Sequence, residues 1–561
     1  MTRWLQFAVP LWSGVLALLV CAPLLAPGFV LSYDMVWVPH LDLSRADLWG
    51  LGSALPRAVP SDLFVALLGA VLPAAIVQKV VLLGALFAAG MSMGSLLCSL
   101  HLAARLAAVT LYVWNPFVAE RLVLGQWPLL IAYAAVPWLI AALGSERGVR
   151  RPAVVIALAA TALTPATGLM GVLLAFLVKG RGGSFRLGLV AVAVNAHWIV
   201  AGILHAPIAR SDGAAIALFD VQPEGNFGRL GAALSLGGIW NAEVVPSSRG
   251  MMIGLILAGL MWAVMIIGAT ALWREERRLL VGLAVAGAIG LALALSGWLA
   301  ADAMAALVRT VPAAGLLRDG TRYLLLLAPL EAITFGYGAK RLAETVRKVQ
   351  ARQFLAVIAV VMPLAALPDL AWGVGGKLQP TDYPVSWYAA RTAISSSDVT
   401  GDVIVLPFSS YRRPDWNHDH SVLDPAGRFF DRETVTSDRL FVSGKAIAGE
   451  DPRAARIARI LATASPAKSL AREGIGIVVV ETDAGTVASG KFAGMDKIYR
   501  GKEMRVLTID QAAARVNVDR DLYLMIGAWL LAFLALGFAV TFAVLNRLKR
   551  QLAEHRSRHV T

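Results

Sequence analysis

Long apolar runs separated by short polar loops occupy most of the chain. A membrane-spanning helix needs about 20 mainly apolar residues, and fewer where two short helices pair inside a bundle. The pattern therefore predicts a polytopic α-helical membrane protein with about twelve transmembrane helices. The predicted helices cover residues 7–26, 76–98, 104–122, 128–144, 152–164, 167–179, 187–207, 250–272, 279–299, 322–339, 354–373 and 521–546.

The charged loops predict the orientation of these helices. Five segments are basic or strongly charged, namely residues 145–151, 179–186, 273–278, 340–352 and 547–559. Such segments favour the cytoplasmic side, and placing all five there requires an even number of crossings between each pair. This requirement splits residues 152–179 at the sequence TALTPATG into two short helices and leaves both termini in the cytoplasm. If residues 152–179 form one span instead, residues 300–318 are the best site for the missing crossing.

Four polar segments then face the extracytoplasmic side, at residues 27–75, 123–127, 208–249 and 374–520. The stretch 61–75 in the first of them is apolar but too short to cross. We expect it to lie along the membrane interface.

Residues 374–520 carry an ordinary density of charged residues and proline. The runs DVIVLPF (402–408) and GIVVVET (476–482) are typical of β-strands, and a helical pattern lies between them over residues 455–474. We therefore expect a small extracytoplasmic α/β domain. The predicted division is a transmembrane core over 1–373 with outer loops 27–75 and 208–249, the α/β domain over 374–520, and a last transmembrane helix with a basic cytoplasmic tail over 521–561.

Composition agrees with a multi-pass protein of the plasma membrane. Of the 561 residues, 58% are hydrophobic and 16% are charged, and the mean hydropathy is +0.66. The net charge of +14 is explained by the short basic loops, so no nucleic-acid partner is expected. Cys21 and Cys98 lie in apolar segments and do not predict a disulfide. The sequence has no P-loop, GxSxG, HExxH or paired CxxC motif, the usual markers of ATP-driven transport, serine hydrolysis and structural zinc.

The stretch LSYDMVWVPHLD places Asp34 just beyond the first apolar run. Its neighbours Tyr33, Met35 and Trp37 favour a packed or interfacial position, which would hold the carboxylate near the membrane surface. Tyr33 and Trp37 are also counted as possible substrate contacts. Partial shielding from water would make the carboxylate a stronger base. An ordinary loop residue or a helix cap is the alternative.

Three more polar residues belong to the same outer loop, and we count them as possible substrate contacts or alternative acids. They are His40, Asp42 and Asp47, and of these Asp42 and Asp47 compete with Asp34 for the role of base. We predict no metal and no cofactor. The alternative is a divalent cation held in part by Asp34 together with Asp42 or Asp47. His418 and His420 beside Asp415 and Asp419 suggest a metal site, but a solvated loop is the simpler interpretation since no third ligand has a suitable spacing.

Two later segments carry charge at the predicted outer ends of helices. Glu120, Arg121, Gln126 and Trp127 flank a very short outer loop, where they either anchor the helices or bind substrate.

Arg318 and Arg322 lie four residues apart around Asp319, a spacing that suits a phosphate if both point to one side. A structural pair of Asp319 with either arginine is the alternative. Glu331 lies deeper in the same span and needs a partner that the sequence does not identify.

An acid in the first outer loop and arginines at a later helix end suggest chemistry on a lipid-linked phosphate. Transfer of a sugar from a polyprenyl phosphate needs a base for the acceptor hydroxyl and cations for the departing phosphate. A lipid or polysaccharide transporter and a non-catalytic scaffold for envelope assembly are the alternatives. Many transporters consist of two similar halves, and this sequence shows no such internal similarity.

Five stretches resemble GT-C membrane glycosyltransferases, and more narrowly the amino-terminal membrane region of the mycobacterial α-(1→3)-arabinofuranosyltransferases. They are GFVLSYDMVWVP (28–39), residues 114–138, LLRDGTRYLLL (316–326), VIVLPFSSYRRPDWN (403–417) and LAREGIGIVVVE (470–481). The resemblance implies a decaprenyl-phosphate-linked sugar donor and an inverting transfer to a cell-envelope glycan or glycolipid on the extracytoplasmic face.

The same resemblance assigns roles to individual residues. It makes Asp34 the general base and places Arg318, Arg322 and Arg121 at the donor phosphate. Arabinofuranose is the favoured sugar and mannose the next. The long carbohydrate-binding extension of those enzymes is not found in this sequence, which leaves the sugar and the acceptor open.

Overall fold

The computed structural model describes residues 6–52, 54–144, 152–179, 183–208, 212–442, 444–482, 492–513 and 519–558. Most of these residues are helical. The helices are α1 (Ala8–Cys21), α2 (Ser61–Gly69), α3 (Ala74–Leu96), α4 (Leu102–Val113), α5 (Pro116–Val123), α6 (Trp127–Leu143), α7 (Pro152–Thr161), α8 (Pro165–Val178), α9 (Ser184–Leu204), α10 (Ala214–Leu218), α11 (Gly228–Leu234), α12 (Met252–Glu275), α13 (Arg277–Leu299), α14 (Ala301–Thr310), α15 (Ala328–Thr345), α16 (Val349–Ala366), α17 (Val385–Ser395), α18 (Ala426–Phe429), α19 (Pro452–Leu461), α20 (Ala467–Arg472) and α21 (Asp519–Arg558).

Eight segments of the described chain are long and apolar enough to cross a membrane. They are Ala8–Leu25, Ala74–Leu96, Leu102–Val123, Ser184–Leu204, Met252–Glu275, Arg277–Leu299, Val349–Ala366 and Asp521–Lys549. Each coincides with a predicted span. Helices α6, α7 and α8 are apolar but shorter, so a total of twelve crossings stays a prediction.

The predicted break within residues 152–179 is confirmed, because α7 ends at Thr161 and α8 begins at Pro165. Thr164 caps the second helix by accepting a hydrogen bond from the backbone N–H of Thr167. The charged loop 145–151 that motivated the split lies outside the described residues. The span predicted over 322–339 is irregular at its start, where a 3-10 turn covers Gly320–Leu326 before α15 begins.

A five-stranded sheet lies in the region expected to be α/β. In spatial order its strands are Asp496–Arg500, Met504–Thr508, Ile475–Glu481, Asp402–Leu406 and Thr434–Val435. Asp402–Leu406 and Ile475–Glu481 run parallel, and α19 and α20 lie between them in the chain. The predicted succession of strand, helix and strand is therefore found. The strands are β1 (Phe29–Val30), β2 (Pro380–Thr381), β3 (Asp402–Leu406), β4 (Tyr411–Arg412), β5 (Val422–Leu423), β6 (Thr434–Val435), β7 (Leu440–Val442), β8 (Lys445–Ile447), β9 (Ile475–Glu481), β10 (Asp496–Arg500) and β11 (Met504–Thr508).

The four segments predicted to share the outer side contact one another directly. Strand β1 in the first pairs with β2 in the last. The backbone N–H of Asp34 donates to Leu124 in the short second segment at 3.0 Å, and Tyr33 is hydrogen bonded to Glu243 in the third. They therefore meet at one end of the helix bundle. Elsewhere, two of the basic loops predicted to share the other side are joined by the ion pair of Lys340 with Glu275, at 2.7 Å.

Candidate active site

A tight turn presents Asp34. The backbone N–H of Met35 donates to the carbonyl oxygen of Ser32 at 2.8 Å, and Tyr33 adopts a left-handed conformation with φ 45°. The turn rests against Gly125, where a Cβ atom would lie only 2.2 Å from the nitrogen of Met35. Gly125 itself has φ +81°, so glycine satisfies both the close approach and the backbone conformation.

The prediction that Asp34 is partly shielded from water is wrong. Its side chain is exposed, whereas Met35, Val36 and Trp37 are buried. The apolar neighbours therefore anchor the turn in the core and leave the carboxylate outside it. Trp37 packs on Trp127 with ring centroids 5.4 Å apart, so both predicted substrate-contacting tryptophans belong to this anchor.

The Asp34 carboxylate has two hydrogen-bond donors from distant segments. Tyr411 Oη donates to Oδ1 at 2.6 Å, and Gln126 Nε2 approaches Oδ2 at 3.4 Å. Asp34 also interacts electrostatically with Arg322 and Arg428. Burial and the nearby Asp34 raise the pKa of Tyr411 well above its usual value, so the phenol keeps its proton and acts as the donor.

A buried carboxylate, Asp319, ties the predicted phosphate-binding arginines together. Arg121 donates to it at 2.9 Å and Arg322 at 3.1 Å, and Arg121 also donates to Thr321 at 2.6 Å. Burial alone would raise the pKa of Asp319, but Arg121 and Arg322 outweigh burial and hold that pKa well below its usual range. The structural pair of Arg322 with Asp319, one of the alternatives left by the sequence, is therefore present.

The same network reaches Asp34. Gln126 Oε1 accepts a hydrogen bond from Arg121 at 3.0 Å, while its Nε2 faces Asp34. Arg121 is only 1% exposed. It can therefore influence the exposed groups of the site only through its partners Gln126 and Asp319. A continuous chain of polar contacts thus joins Asp34 to Arg322.

Arg318 points to a different partner. Its guanidinium lies 3.6 Å from Glu450, which also pairs with Arg57 at 2.6 Å. Burial, together with the nearby positive charge of Arg57, lowers the pKa of Arg318 to about 10. Both guanidinium groups remain charged at neutral pH and repel each other, which makes their surroundings favourable to an additional anion.

The remaining predicted residues are distributed around this centre. Ser44 donates to Asp42 at 2.6 Å and lowers the pKa of that carboxyl. Asp47 pairs with Arg45 at 2.8 Å, and His40 is exposed. Of these acids, Asp34 is the one hydrogen bonded to Tyr411 and Gln126.

The side chains of two further predicted residues face glutamates rather than Asp34. Tyr33 is hydrogen bonded to Glu243, and burial followed by this bond raises the pKa of Tyr33 to about 12. Glu120 is buried and faces Glu224 rather than Asp34.

In the part of the chain that the structure describes, no group of three or more Asp, Glu, His or Cys side chains is placed to hold a metal ion. His418 lies 3.2 Å from the carbonyl oxygen of Pro380, and its ring is 6.2 Å from that of His420. Metal dependence stays a prediction.

Sequence reasoning missed Tyr411, Arg57 and Glu450. Tyr411 lies in the segment YRRPDWN, just before His418 and His420, and that segment was considered for its resemblance but not for a contact with Asp34. Arg57 and Glu450 lie in different outer segments, 393 positions apart. One indication that Arg57 and Glu450 could be in contact was present in the sequence, namely that their segments were predicted to lie on the same side of the membrane.

Comparison of the whole fold with solved structures finds a mycobacterial enzyme. The arabinofuranosyltransferase AftD from Mycobacteria matches with a TM-score of 0.53 and 16% sequence identity, over 92% of this chain and 40% of that chain. A mutant of that protein matches with a TM-score of 0.51 and 15% identity, over 92% of this chain and 42% of its own. No protein-family description and no curated protein matches the sequence.

The chain therefore spans less than half the length of the protein that it resembles. At this level of identity the likeness shows a shared fold. It confirms, as a likeness of fold, the predicted resemblance to the arabinofuranosyltransferase.

Proposed function

We propose that the protein is a membrane glycosyltransferase of the GT-C type that moves a sugar from a polyprenyl-phosphate donor to a hydroxyl group of a cell-envelope glycan or glycolipid. The observation that carries this proposal is the exposed Asp34 carboxylate, which accepts a hydrogen bond from Tyr411 and interacts electrostatically with Arg322. Tyr411 in turn interacts electrostatically with Arg57 and Arg318. The fold likeness supports arabinofuranose as the first choice of sugar, and mannose is the second.

In the proposed reaction the acceptor oxygen attacks the anomeric carbon while the bond from that carbon to the phosphate oxygen breaks. Asp34 accepts the proton of the acceptor hydroxyl, and the bonding electron pair leaves with the polyprenyl phosphate. A single displacement of this kind inverts the anomeric configuration. A phosphate is a good leaving group, so no general acid is required.

The arginines supply the electrostatic part of the mechanism. Arg318 and Arg57 would bind the donor phosphate and stabilise the charge that develops as it departs. Arg322 interacts electrostatically with Asp34. Arg121 would position this group through Asp319 and Gln126. Glu450 holds Arg57 and Arg318 in the absence of donor.

Replacing Asp34 with Asn tests the central assignment. Asn keeps the shape of the side chain but cannot accept the proton, so transfer from a radiolabelled polyprenyl phosphosugar should fall by about 10²–10⁴-fold. Asp302→Asn, an exposed carboxylate on α14, is the matched control and should transfer normally. Full activity of a folded Asp34→Asn protein would refute the assignment and favour a transporter or a scaffold.

The orientation is a separate part of the proposal, with the site extracytoplasmic and both termini in the cytoplasm. In a background without the exposed Cys98, a cysteine in place of Glu243 should react with an impermeant thiol reagent added to intact cells. A cysteine in place of Arg341 should react only after the cells are opened. The reverse pattern would invert the topology.

A further inference from the structure

Glu450 places a carboxylate inside the proposed donor-phosphate site. It lies 2.6 Å from Arg57 and 3.6 Å from Arg318, the two guanidinium groups that would bind the phosphate. A carboxylate at such a site repels the anion that the arginines attract. Glu450 therefore opposes the binding for which the two arginines are proposed.

The backbone holds Glu450 at this position. The N–H groups of Glu450 and Asp451 donate to the carboxylate of Asp438, at 2.5 and 2.8 Å. A Cβ atom on Gly449 would overlap the Asp438 carboxylate, so this close approach requires glycine. Asp451 also caps α19 by accepting a hydrogen bond from the backbone N–H of Arg453 at 2.8 Å. Glu450 is therefore fixed by contacts on both sides of it in the chain.

The carboxylate of Glu450 lies behind the two arginines. Its side chain is 7% exposed, whereas those of Arg57 and Arg318 are 49% and 19% exposed. The ring of Phe219 packs against the Arg318 guanidinium, with 4.8 Å from its centroid to Cζ. A phosphate can therefore contact the accessible parts of both guanidinium groups while Glu450 keeps its ion pairs.

The proposed transfer changes the charge of the phosphate. The donor is a phosphodiester with one negative charge. When the bond between the anomeric carbon and the phosphate oxygen breaks, its electron pair stays on that oxygen, and the proton of the acceptor goes to Asp34. The polyprenyl phosphate that remains is a monoester, with about 1.5 to 2 negative charges at pH 7. A site that binds by positive charge alone would thus hold the product more tightly than the donor.

The negative charge of Glu450 acts against this imbalance. Its repulsion of a bound phosphate grows in proportion to the charge of the ligand. On a free-energy scale it therefore weakens binding of the monoester about twice as much as binding of the diester. Arg322, Asp319 and Asp438 also interact electrostatically with the two arginines, but their charges stay the same when Glu450 is replaced.

We propose that Glu450 sets the charge selectivity of the donor-phosphate site, so that the site binds a singly charged phosphodiester and releases the doubly charged phosphomonoester after transfer. This inference rests on the proposed function. Glu450 is a positioning residue that acts through Arg57 and Arg318, and it takes no part in the bond changes at Asp34. Its effect is to favour exchange of the product for a new donor molecule.

Binding of three short-chain polyprenyl ligands to the full-length protein in detergent tests this role. The ligands share one chain and end in a hydroxyl, a methyl phosphodiester or a phosphate, so that at pH 8 they are neutral, singly charged and about doubly charged. For charges separated by a guanidinium group at a hydrated surface, Glu450→Gln should raise affinity for the methyl diester about threefold. Affinity for the phosphate should rise about tenfold, because the factor for one charge applies twice, and affinity for the alcohol should stay constant. Isothermal titration calorimetry at one ionic strength measures all three.

Two further variants separate the charge of Glu450 from its packing. Glu450→Asp keeps the negative charge on a shorter side chain and should retain the wild-type ratio of phosphate to diester affinity. Glu344→Gln removes an exposed carboxylate that pairs with Arg341, and all three affinities should stay at the wild-type values. A Glu450→Asp protein that behaves like Glu450→Gln would give Glu450 a packing role and overturn the proposal.

The binding data also distinguish this inference from the proposed function on which it rests. Equal gains for the diester and the phosphate in Glu450→Gln, or no gain for either, would overturn the charge selectivity and leave the transfer reaction untouched. If wild-type protein bound neither phosphorylated ligand more tightly than the alcohol, the donor site itself would be refuted. In the transfer assay, added polyprenyl phosphate should inhibit Glu450→Gln about tenfold more strongly than wild type, and equal inhibition would contradict the proposed role in product release.

Discussion

The network around Asp34 and the surroundings of Glu331 on α15 use carboxyl groups in opposite ways. Asp319 is 3% exposed and is bonded by Arg121 and Arg322, and Asp34 receives Tyr411 and Gln126. Glu331 is nearly as buried as Asp319 but has no such partner among the described residues. Burial alone therefore does not reveal what a membrane carboxyl group does, and its partners must be known.

Helix α5 separates the two regions. Its adjacent residues Glu120 and Arg121 point to different sides, with Arg121 bonded to Asp319 and Glu120 facing Glu224. Neighbouring positions on a helix are about 100° apart, so one short helix can contribute to two sites. Substitutions on one side of α5 should therefore leave the other side intact.

The largest difference is expected when each buried carboxyl is replaced by its amide. Asp319→Asn leaves Arg121 and Arg322 without their shared anion, and we expect it to lower the free energy of unfolding by about 3–5 kcal/mol. Glu331→Gln removes a buried acid that has no protein partner, so its thermal stability in lipid-free detergent should be unchanged or higher. Thermal unfolding of the purified variants measures both effects. Equal losses of stability in Asp319→Asn and Glu331→Gln would show that the two carboxyl groups do not differ in this way.

The second difference concerns the arginines. Arg318→Ala removes a charge-assisted contact to the proposed donor phosphate and should weaken binding of a short-chain polyprenyl phosphate by about tenfold to a hundredfold. Acceptor binding should change much less. Arg341→Ala, in which an exposed arginine paired with Glu344 is lost, is the control for net charge. An unchanged donor affinity would return Arg318 to a structural role.

The smallest effect is expected from Tyr411→Phe, which deletes the hydroxyl bonded to Asp34 and keeps the ring. A hydrogen bond to a charged group contributes about 1.5–3 kcal/mol, and Gln126 remains on the other oxygen, so we expect kcat to fall by about tenfold. KM for the donor should stay constant because Tyr411 acts through Asp34. A rise in KM with unchanged kcat would show that Tyr411 contacts the donor instead.

Local patterns predicted the parts of the fold that depend on local chemistry. Apolar runs of sufficient length located the eight long spanning helices, and TALTPATG located the break between α7 and α8. The start of α15 was harder to predict, because a 3-10 turn continues the apolar run up to the helix. Its sequence alone does not distinguish that turn from another turn of helix.

The candidate site was predicted only as far as single segments allow. Asp34 stood out because a carboxylate follows directly on an apolar run, but its exposure depends on how Met35, Val36 and Trp37 pack. The contacts of Arg121 with Asp319 and of Arg57 with Glu450 join positions 198 and 393 residues apart. Pairings of this kind arise from the tertiary fold and leave no periodic trace in the sequence.

The contact of Tyr411 with Asp34 also sets an order of events during biosynthesis. The two residues are 377 positions apart, and at about 5–20 residues per second their synthesis is separated by about 20–75 seconds. Asp34 enters the membrane with the first helix, long before the hydroxyl that holds it exists. A nascent chain stopped before residue 411 therefore carries the carboxylate without its Tyr411 donor, and the complete site forms only after the late sheet region has folded onto the first loop.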